Sequence, residues 1–143
     1  KGLALEALAI KIMGIIGLDF IKTRLKGSET GGAEVDVLFD SSRLLYSRWQ
    51  VQCKNTSKVS LDQVAKEVGL SHVLRTNAIV IMTTGTVSES ARKYANKIMR
   101  SMNLCIIFIE GSDIDDIIQE PTKIVAIFNR ESLTAKHIKV LEV

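Results

Sequence analysis

Two neighbouring stretches of the sequence carry the residues whose types and spacing could do chemistry. Residues 31–39 and residues 46–54 both alternate apolar and polar side chains, which predicts two half-buried β-strands. If the strands pair with their apolar faces on one core, the opposite face gathers Asp36, Gln52 and Lys54. A carboxylate, a neutral amide oxygen and an ammonium group at one place suit a divalent metal ion beside a phosphate. These residues form the candidate functional site.

The composition predicts a single globular domain over residues 1–143. The chain is 46% hydrophobic and 24% charged and contains one proline, which argues against disorder. Its net charge of +3 permits a polyanionic partner without requiring one. Cys53 and Cys105 lie in apolar, strand-like runs, which predicts buried reduced thiols rather than a disulfide or a metal pair. An intracellular, cytoplasmic protein is the default expectation.

The apolar run at residues 3–18 does not indicate a membrane span, because it is short and contains Glu6 and Lys11. It does not indicate a signal peptide either, because no small, polar cleavage region follows it. Since a helix begins almost at Lys1, we expect a domain excised from a longer chain. A module that selects the target would then lie outside this sequence.

The remaining patterns indicate the elements that must position the candidate site. The predicted helices span residues 3–17, about 60–72, 88–102 (with Ser88 as N-cap) and 111–119, and the other predicted strands span 18–26, 78–82 and 104–109. A polar turn is expected at 27–32, and a mainly helical C-terminal extension at 121–143. Meandering strands followed by alternating helices and strands predict an α/β fold with a mixed sheet flanked by helices.

Residues 32–36, followed by Gln52-Cys53-Lys54, resemble the PD-(D/E)XK nuclease superfamily. More narrowly, the chain resembles the Mrr-type restriction endonuclease catalytic domain, which carries Gln where most relatives have Asp or Glu. Residues 82–111 resemble the second half of that domain, so that the likeness covers about residues 3–118. The resemblance implies a restriction-endonuclease-like fold and a metal-dependent DNA endonuclease of the restriction or modified-DNA type, in a prokaryotic cytoplasm.

Each candidate residue takes an implied role from the resemblance. Asp36 would be the principal metal ligand, and Gln52 would offer its amide oxygen in place of the second carboxylate. Lys54 would orient or activate the attacking water and offset charge on the phosphate. The backbone carbonyl of Cys53 would be a further ligand, and Glu6 resembles the helix-borne acidic residue that many members place near the metal. Mg²⁺ is the implied cofactor, with Mn²⁺ as a possible substitute.

The implied partner is double-stranded DNA. A homodimer or larger assembly is expected, because two strands need two active sites, and a further target-recognition domain is expected in the full-length chain. Because Gln52 lowers the negative charge around the metal, we also expect metal and DNA to bind cooperatively. The alternatives are a nuclease resembling Holliday-junction resolvases, and an inactive nuclease-fold module that binds DNA or protein.

Simpler interpretations stand beside these. Asp36 could form only a surface salt bridge with Lys54, which would contribute little stability. Glu34 could be an auxiliary ligand or simply solvated, and Glu6 could serve only the dipole of its helix. Gln63 could approach the site or lie at the surface.

Two basic clusters are also open to both interpretations. Lys58, Ser60 and Lys66 near the start of the second helix could receive a DNA phosphate, although such charges are more often a solvated face. The basic residues between Arg92 and Arg100 are expected on an exposed helix surface, where contact with a DNA backbone is possible. Trp49 is expected in the core.

Overall fold

The computed structural model describes residues 2–25 and 35–141, and for residues 2–3, 22–25 and 35–36 it describes the backbone alone. The predicted turn at residues 27–32 lies outside this part of the chain. The elements are α1 (Gly2–Ile15), β1 (Asp19–Leu25), β2 (Val35–Ser41), β3 (Ser47–Lys54), β4 (Lys58–Val59), α2 (Leu61–Leu74), β5 (Ala78–Thr83), β6 (Thr86–Val87), α3 (Glu89–Ser101), β7 (Cys105–Ile109), α4 (Gly111–Gln119) and α5 (Lys123–Ile138).

The main sheet has five strands in the order β1-β2-β3-β5-β7. β1, β2 and β3 form an antiparallel meander, and β3, β5 and β7 run parallel. The predicted mixed sheet flanked by helices is therefore confirmed. The sequence did not reveal the short parallel pair β4-β6, because strands of two residues are too short to show a period of two.

The two faces of the sheet carry separate hydrophobic cores. On one face, α1, α4 and α5 cover residues such as Val37, Val51 and Val80. On the other, α2 and α3 cover residues such as Ile79 and Ile81. Trp49 and Cys53 pack against the first core together with Val51, so the alternation predicted for residues 46–54 is confirmed.

The helix boundaries follow local sequence signals. α1 ends where Gly17 adopts φ +88°, and the N–H groups of Gly17 and Leu18 donate to the carbonyls of Gly14 and Met13 at 3.1 and 3.0 Å. These two hydrogen bonds form the Schellman motif, in which glycine is favoured because it has no Cβ. The predicted N-cap of α3 is confirmed, since Ser88 Oγ accepts from Ala91 N.

The C-terminal segment after Pro121 forms α5, which packs onto the same sheet. Ile124 and Ile127 join the core that α1 covers, while Ala135 belongs to the core on the other face. The helical character expected for this segment is confirmed. Within residues 2–25 and 35–141, no helix is long and apolar enough to cross a membrane.

Two expectations about side chains need correction. Cys53 and Cys105 are half-buried rather than buried, because Cys53 is the last residue but one of β3 and Cys105 is the first residue of β7. Neither forms a disulfide, as expected. Trp49 is also half-buried, against Phe128 with ring centroids 6.5 Å apart.

Candidate functional site

β3 is the central strand of the sheet and carries the candidate site at its carboxyl end. Val51 pairs with Val37 of β2, and Gln52, Cys53 and Lys54 pair with residues of β5. Since side chains alternate along a strand, Gln52 and Lys54 leave the face that holds Val51 and Cys53. The predicted alternation is therefore confirmed for β3.

Gln52 is a buried amide whose oxygen accepts no hydrogen bond from the described residues. Its relative exposure is 6%, and its neighbour in β5 is the buried Ile81. Among the side-chain atoms that the structure describes, Gln52 Oε1 is buried without any hydrogen-bond donor. Such an atom normally costs free energy, and buried polar groups are nearly always paired. The oxygen is therefore available to a ligand that arrives from outside the chain.

Gln50, two residues earlier on the same face, is fully paired. Its Nε2 donates to the backbone carbonyl of Glu67 at 3.0 Å and to Glu67 Oε1 at 3.3 Å. Its Oε1 accepts from Thr76 Oγ1 at 2.6 Å. Gln50 thus joins β3 to the middle of α2 and to the segment that follows this helix. The alternation pattern alone did not distinguish this structural role from that of Gln52.

Lys54 is the last residue of β3 and is half-exposed. Its backbone carbonyl accepts from Thr84 N at 3.2 Å, on the β5 side. Because carbonyls alternate along a strand, that of Cys53 faces the β2 side. The role assigned to its ammonium group, beside the attacking water and the phosphate, stays a prediction.

Asp36 follows Val35 in β2, one residue before Val37, which pairs with Val51. Only the backbone of Asp36 is described, and Glu34 lies outside the described residues altogether. The ligand roles assigned to these two residues, and the alternative Asp36–Lys54 salt bridge, stay predictions.

Glu6 lies in the second turn of α1 and is half-exposed. α1 packs on the face of the sheet that holds Val37 and Val51, whereas Gln52 lies on the opposite face. The sheet therefore separates the body of α1 from the Gln52 side chain. The assignment of Glu6 as a metal ligand stays a prediction.

The loops at the carboxyl ends of β3, β5 and β7 are joined by backbone hydrogen bonds. Thr86 N donates to Ser57 O at 3.1 Å, and Gly111 N donates to Gly85 O at 2.9 Å. Gly85 is required at this crossing, because a Cβ there would lie 2.3 Å from the carbonyl oxygens of Thr56 and Ser57. The site is thus built on a fixed edge of the sheet rather than on free loops.

The proposed phosphate-contact residues lie at this edge or just beyond it. Lys58 is exposed in β4, and Lys66 is exposed in the second turn of α2. Ser60 is the N-cap of α2: its Oγ accepts from Gln63 N at 3.3 Å, and Gln63 Oε1 accepts from Ser60 N at 2.9 Å. Gln63 therefore completes a capping box, a role that the sequence pattern S-x-x-Q could have revealed.

Arg92 corrects the expectation of a uniformly exposed basic surface on α3. Lys93, Lys97 and Arg100 are exposed as expected, but Arg92 is half-buried. Its Nη2 donates to Glu110 Oε1 at 2.7 Å, and its guanidinium lies 5.0 Å from the Phe108 ring centroid. Arg92 therefore fixes the end of β7 and is not a free DNA contact.

Two cavities mark opposite edges of the sheet. One of about 360 Å³ is at the carboxyl ends of the parallel strands, and its lining includes Leu5, Thr84 and Asn55, the residue after Lys54. A slightly larger one of about 400 Å³ includes Trp49 and lies under α5, where the parallel strands begin. The smaller cavity is at the same end of the strands as the candidate site, but neither Gln52 nor Lys54 lines it.

The oxygen atoms that the structure describes at this site form only part of a ligand set for a hard divalent cation. A buried amide oxygen without a donor is a suitable ligand for Mg²⁺, which binds oxygen atoms. Among residues 2–25 and 35–141, no group of three or more His, Cys, Asp or Glu side chains is placed to hold a metal. The roles of Gln52 and Asp36 as two ligands of one metal ion therefore stay predictions.

Comparison with known structures supports this fold. The chain is similar to the crystal structure of AF1548, a protein of unknown function, with 16% identity and a TM-score of 0.53, over 72% of this chain and 55% of that one. It is also similar to the MspJI restriction endonuclease in complex with a 27-mer oligonucleotide, with 23% identity and a TM-score of 0.52, over 93% of this chain and 31% of that one. This chain therefore spans less than two thirds of either.

Comparison of sequences gives the family. No curated protein matches the sequence at a significant level. The model of the Mrr catalytic domain family, described as a restriction endonuclease, matches residues 1–118. That range contains β3, the loops at its carboxyl end and the unpaired Gln52 oxygen, and only α5 with its flanking residues lies beyond it. Because the match covers most of the chain, the chain belongs to the restriction endonuclease family of Mrr-type catalytic domains.

Proposed function

We propose that this domain is a metal-dependent endonuclease that hydrolyses phosphodiester bonds of double-stranded DNA. The observation that carries the proposal is the buried Gln52 oxygen without a donor, two residues before the Lys54 ammonium group, at the carboxyl edge of the sheet. A structural amide in this position would be paired, as Gln50 is. Family membership supports the reaction class, and this pair of residues supports the carboxyl ends of the strands as the place of the reaction.

Each candidate residue of the chain would have its own role in hydrolysis. Asp36 and Gln52 would hold Mg²⁺, or Mn²⁺ in its place, with the Cys53 carbonyl as a further ligand and Glu6 as a less direct one. When bound, the ion supplies Lewis-acid stabilisation of the phosphoryl oxygens and favours ionisation of a water molecule. Lys54 orients the attacking water and offsets the negative charge that develops on the phosphate.

The DNA backbone would approach the carboxyl edge of the sheet. Lys58 is exposed in the segment that follows Lys54, so it is placed to contact a neighbouring phosphate. Lys66 extends this exposed basic surface along α2, and Ser60 contributes through the N-terminus of that helix. The MspJI structure, which holds an oligonucleotide, supports a DNA substrate for this chain by analogy of fold.

Three further features belong to the proposal. Cleavage of both strands would need a homodimer or larger assembly, so that two sites meet one duplex. A target-recognition domain elsewhere in the full-length protein would select the sequence or base modification to be cut. Residues 1–143 would form one catalytic domain, with 121–143 as a C-terminal extension, in the cytoplasm of a prokaryotic-type cell.

The test is nicking of supercoiled plasmid, methylated and unmethylated, with Mg²⁺. We expect Asp36→Ala and Lys54→Ala to remain folded by circular dichroism and to lose activity by about 100-fold or more. Lys136→Ala is the matched control, because Lys136 is exposed on α5, far along the sequence from the candidate residues. We expect this variant to nick the plasmid as the wild type does. Equal cutting by all four proteins would overturn the assigned site, and DNA binding without cutting by the wild type would identify an inactive binding module.

A further inference from the structure

The cavity at the carboxyl ends of the parallel strands has a floor and a rim of different chemistry. Its floor is apolar, since Leu5 of α1 and Ile114 of α4 are buried there and Leu8 is half-buried. Its rim carries the exposed polar side chains of Asn55 and Thr84. Sites for small ligands typically have apolar walls, a few polar groups that fix orientation, and volumes of about 300–1,000 Å³. At about 360 Å³, this cavity suits one small ring system.

Two hydrogen bonds between the ends of β3 and β5 hold the polar rim in place. Thr84 N donates to the backbone carbonyl of Lys54 at 3.2 Å, and Thr84 Oγ1 donates to Asn55 Oδ1 at 2.8 Å. Because Asn55 Oδ1 is used as an acceptor, the amide can offer its Nδ2 donor to a ligand, while the Thr84 hydroxyl oxygen keeps lone pairs that can accept. A donor and an acceptor therefore lie side by side at the mouth of an apolar cavity.

A nucleobase has the properties that complement this cavity. Its flat faces pack against apolar side chains, and its pairing edge carries hydrogen-bonding groups that a protein can contact once the base has left the stack. Each of the four bases has a donor beside an acceptor on that edge, so the rim can hold a base without strong selection among them. An aliphatic chain would use the floor of the cavity but not its rim.

The position of the cavity connects it with the candidate site. Asn55 directly follows Lys54, and consecutive side chains of an extended segment point to opposite sides, so Lys54 lies on the Gln52 side of the sheet and Asn55 lines the cavity. The phosphate and the base of one nucleotide are joined through a single sugar. A nucleotide whose phosphate meets Lys54 can therefore place its base over the edge of the sheet.

We propose that this cavity binds one base of the DNA substrate, unstacked from its neighbours, beside the phosphate at Lys54. The inference rests on the proposed function and adds to it a binding site for the base. In a duplex the base must leave the stack, and contacts with the floor and the rim would offset part of that cost.

The experiment compares two fluorescein-labelled oligonucleotides by fluorescence anisotropy in EDTA, and a gel afterwards shows that both are intact. One is a hexamer of thymidine nucleotides, and the other has the same sugar-phosphate backbone without bases. We expect the wild type to bind the thymidine hexamer at least about fivefold more tightly, which is the low end of what one base packed against a protein contributes.

Two variants test whether this preference arises in the cavity. Ala4→Phe introduces a ring into the cavity from an exposed position of α1, and should reduce the preference to less than about twofold. Ala7→Phe is the matched control, because Ala7 is exposed on the same helix and does not line the cavity. Asn55→Ala removes the donor of the rim, and should weaken binding of the thymidine hexamer by about threefold to tenfold without affecting the abasic one.

The possible outcomes separate this inference from the proposed function. Equal binding of the two oligonucleotides by the wild type, or measurable binding of neither, overturns the base site, and so does a preference that Ala4→Phe leaves intact. In each case, plasmid nicking that depends on Asp36 and Lys54 would leave the nuclease assignment standing. If circular dichroism shows that Ala4→Phe does not fold, Asn55→Ala decides alone, and unchanged binding of the thymidine hexamer by that variant overturns the base site.

Discussion

Gln50 and Gln52 lie two residues apart on one face of β3 and are both buried, yet only Gln50 has both ends of its amide paired. Gln52 Oε1 accepts no hydrogen bond from any residue that the structure describes. A buried oxygen without a donor costs roughly 1–3 kcal/mol. The fold therefore carries a destabilising group at Gln52, as expected where a side chain is kept for a ligand rather than for packing.

Replacing Gln52 by Met should separate stability from activity. Methionine has nearly the same length and removes the unpaired oxygen, so we expect the free energy of unfolding to stay equal or to rise by about 1 kcal/mol. Plasmid nicking should nevertheless be lost, because a thioether is a poor ligand for Mg²⁺. Urea denaturation measures the first effect, and a nicking assay measures the second.

Gln50→Met is the matched control for this prediction. The same substitution there removes the partners of Thr76 Oγ1 and of the Glu67 carbonyl, both in buried surroundings. We expect the protein to lose on the order of 2–4 kcal/mol of stability. If the two variants were equally stable, the difference in hydrogen bonding between Gln50 and Gln52 would have no energetic consequence.

Gly85 and Gly69 should respond in opposite directions to substitution by Ala. At Gly85 a Cβ would lie 2.3 Å from two backbone carbonyl oxygens, so the loops that hold the site must move apart. At Gly69, exposed within α2, nothing lies within 4 Å of an added Cβ. We expect Gly69→Ala to raise stability by up to about 1 kcal/mol through helix propensity. Gly85→Ala should lower the melting temperature by several degrees and reduce nicking.

The sequence correctly predicted the parts of the fold in which apolar residues recur at the spacing of a strand or a helix. The alternation of residues 46–54 predicted which side chains of β3 face the core, and Ser88 predicted where α3 begins. The end of α2 is a weaker case, because the pattern predicted it at about residue 72 and the helix ends at Leu74. The next residue, Arg75, adopts φ 56° as the C-cap, a conformation that glycine would normally signal.

The sequence could not distinguish residues whose roles depend on contacts across the chain. Arg92 lies outside the apolar stripe of α3, as its exposed neighbours Lys93 and Lys97 do. It nevertheless forms an ion pair with Glu110 and packs against the ring of Phe108. Gln50 and Gln52 lie on the same face of β3, and Glu67 of α2 and Thr76 beyond that helix pair with Gln50. Contacts between residues 17 and 26 positions apart carry this information, and a local pattern does not.

Asp113 should make stability depend on pH at the acid end. Burial raises the pKa of its carboxyl, but hydrogen bonds from the Arg130 guanidinium and Glu110 N–H outweigh burial and hold the pKa below its ordinary value of 3.8. The charged form is therefore favoured by folding. Its stabilisation is present above that ordinary value and is lost as the pH falls through the lower pKa of the folded state.

Thermal melts of wild type and Asp113→Asn test this sign. The wild type should be more stable near neutral pH, because Asn cannot form the ion pair whose N–O distance is 2.8 Å. The difference in melting temperature should shrink as the pH falls from about 5 to about 2, where the wild-type carboxyl becomes protonated as well. A difference that stays constant over this range would mean that ionisation of Asp113 does not stabilise the fold.

Glu131 closes the exposed edge of β7. Among the described strands, in the order β1-β2-β3-β5-β7, β7 pairs with β5 alone, so its other edge needs partners. Glu131 Oε1 accepts from Phe108 N at 2.7 Å, and Arg130 Nη2 donates to Phe108 O at 3.4 Å. Two neighbouring side chains of α5 thus take the place of a further strand, which protects the edge from pairing with another copy.

Glu131→Leu should therefore leave the Phe108 N–H buried without an acceptor and open the edge. We expect a loss of roughly 1–3 kcal/mol in urea denaturation, together with concentration-dependent self-association by size-exclusion chromatography with light scattering. Glu131→Gln keeps an oxygen acceptor and should recover most of the stability, whereas Glu89→Leu, at an exposed site of α3, should change little. Glu131→Leu could instead prove as stable and as monomeric as Glu131→Gln. The hydrogen bond to Phe108 would then not protect this edge, and the apolar side of α5 alone would cover it.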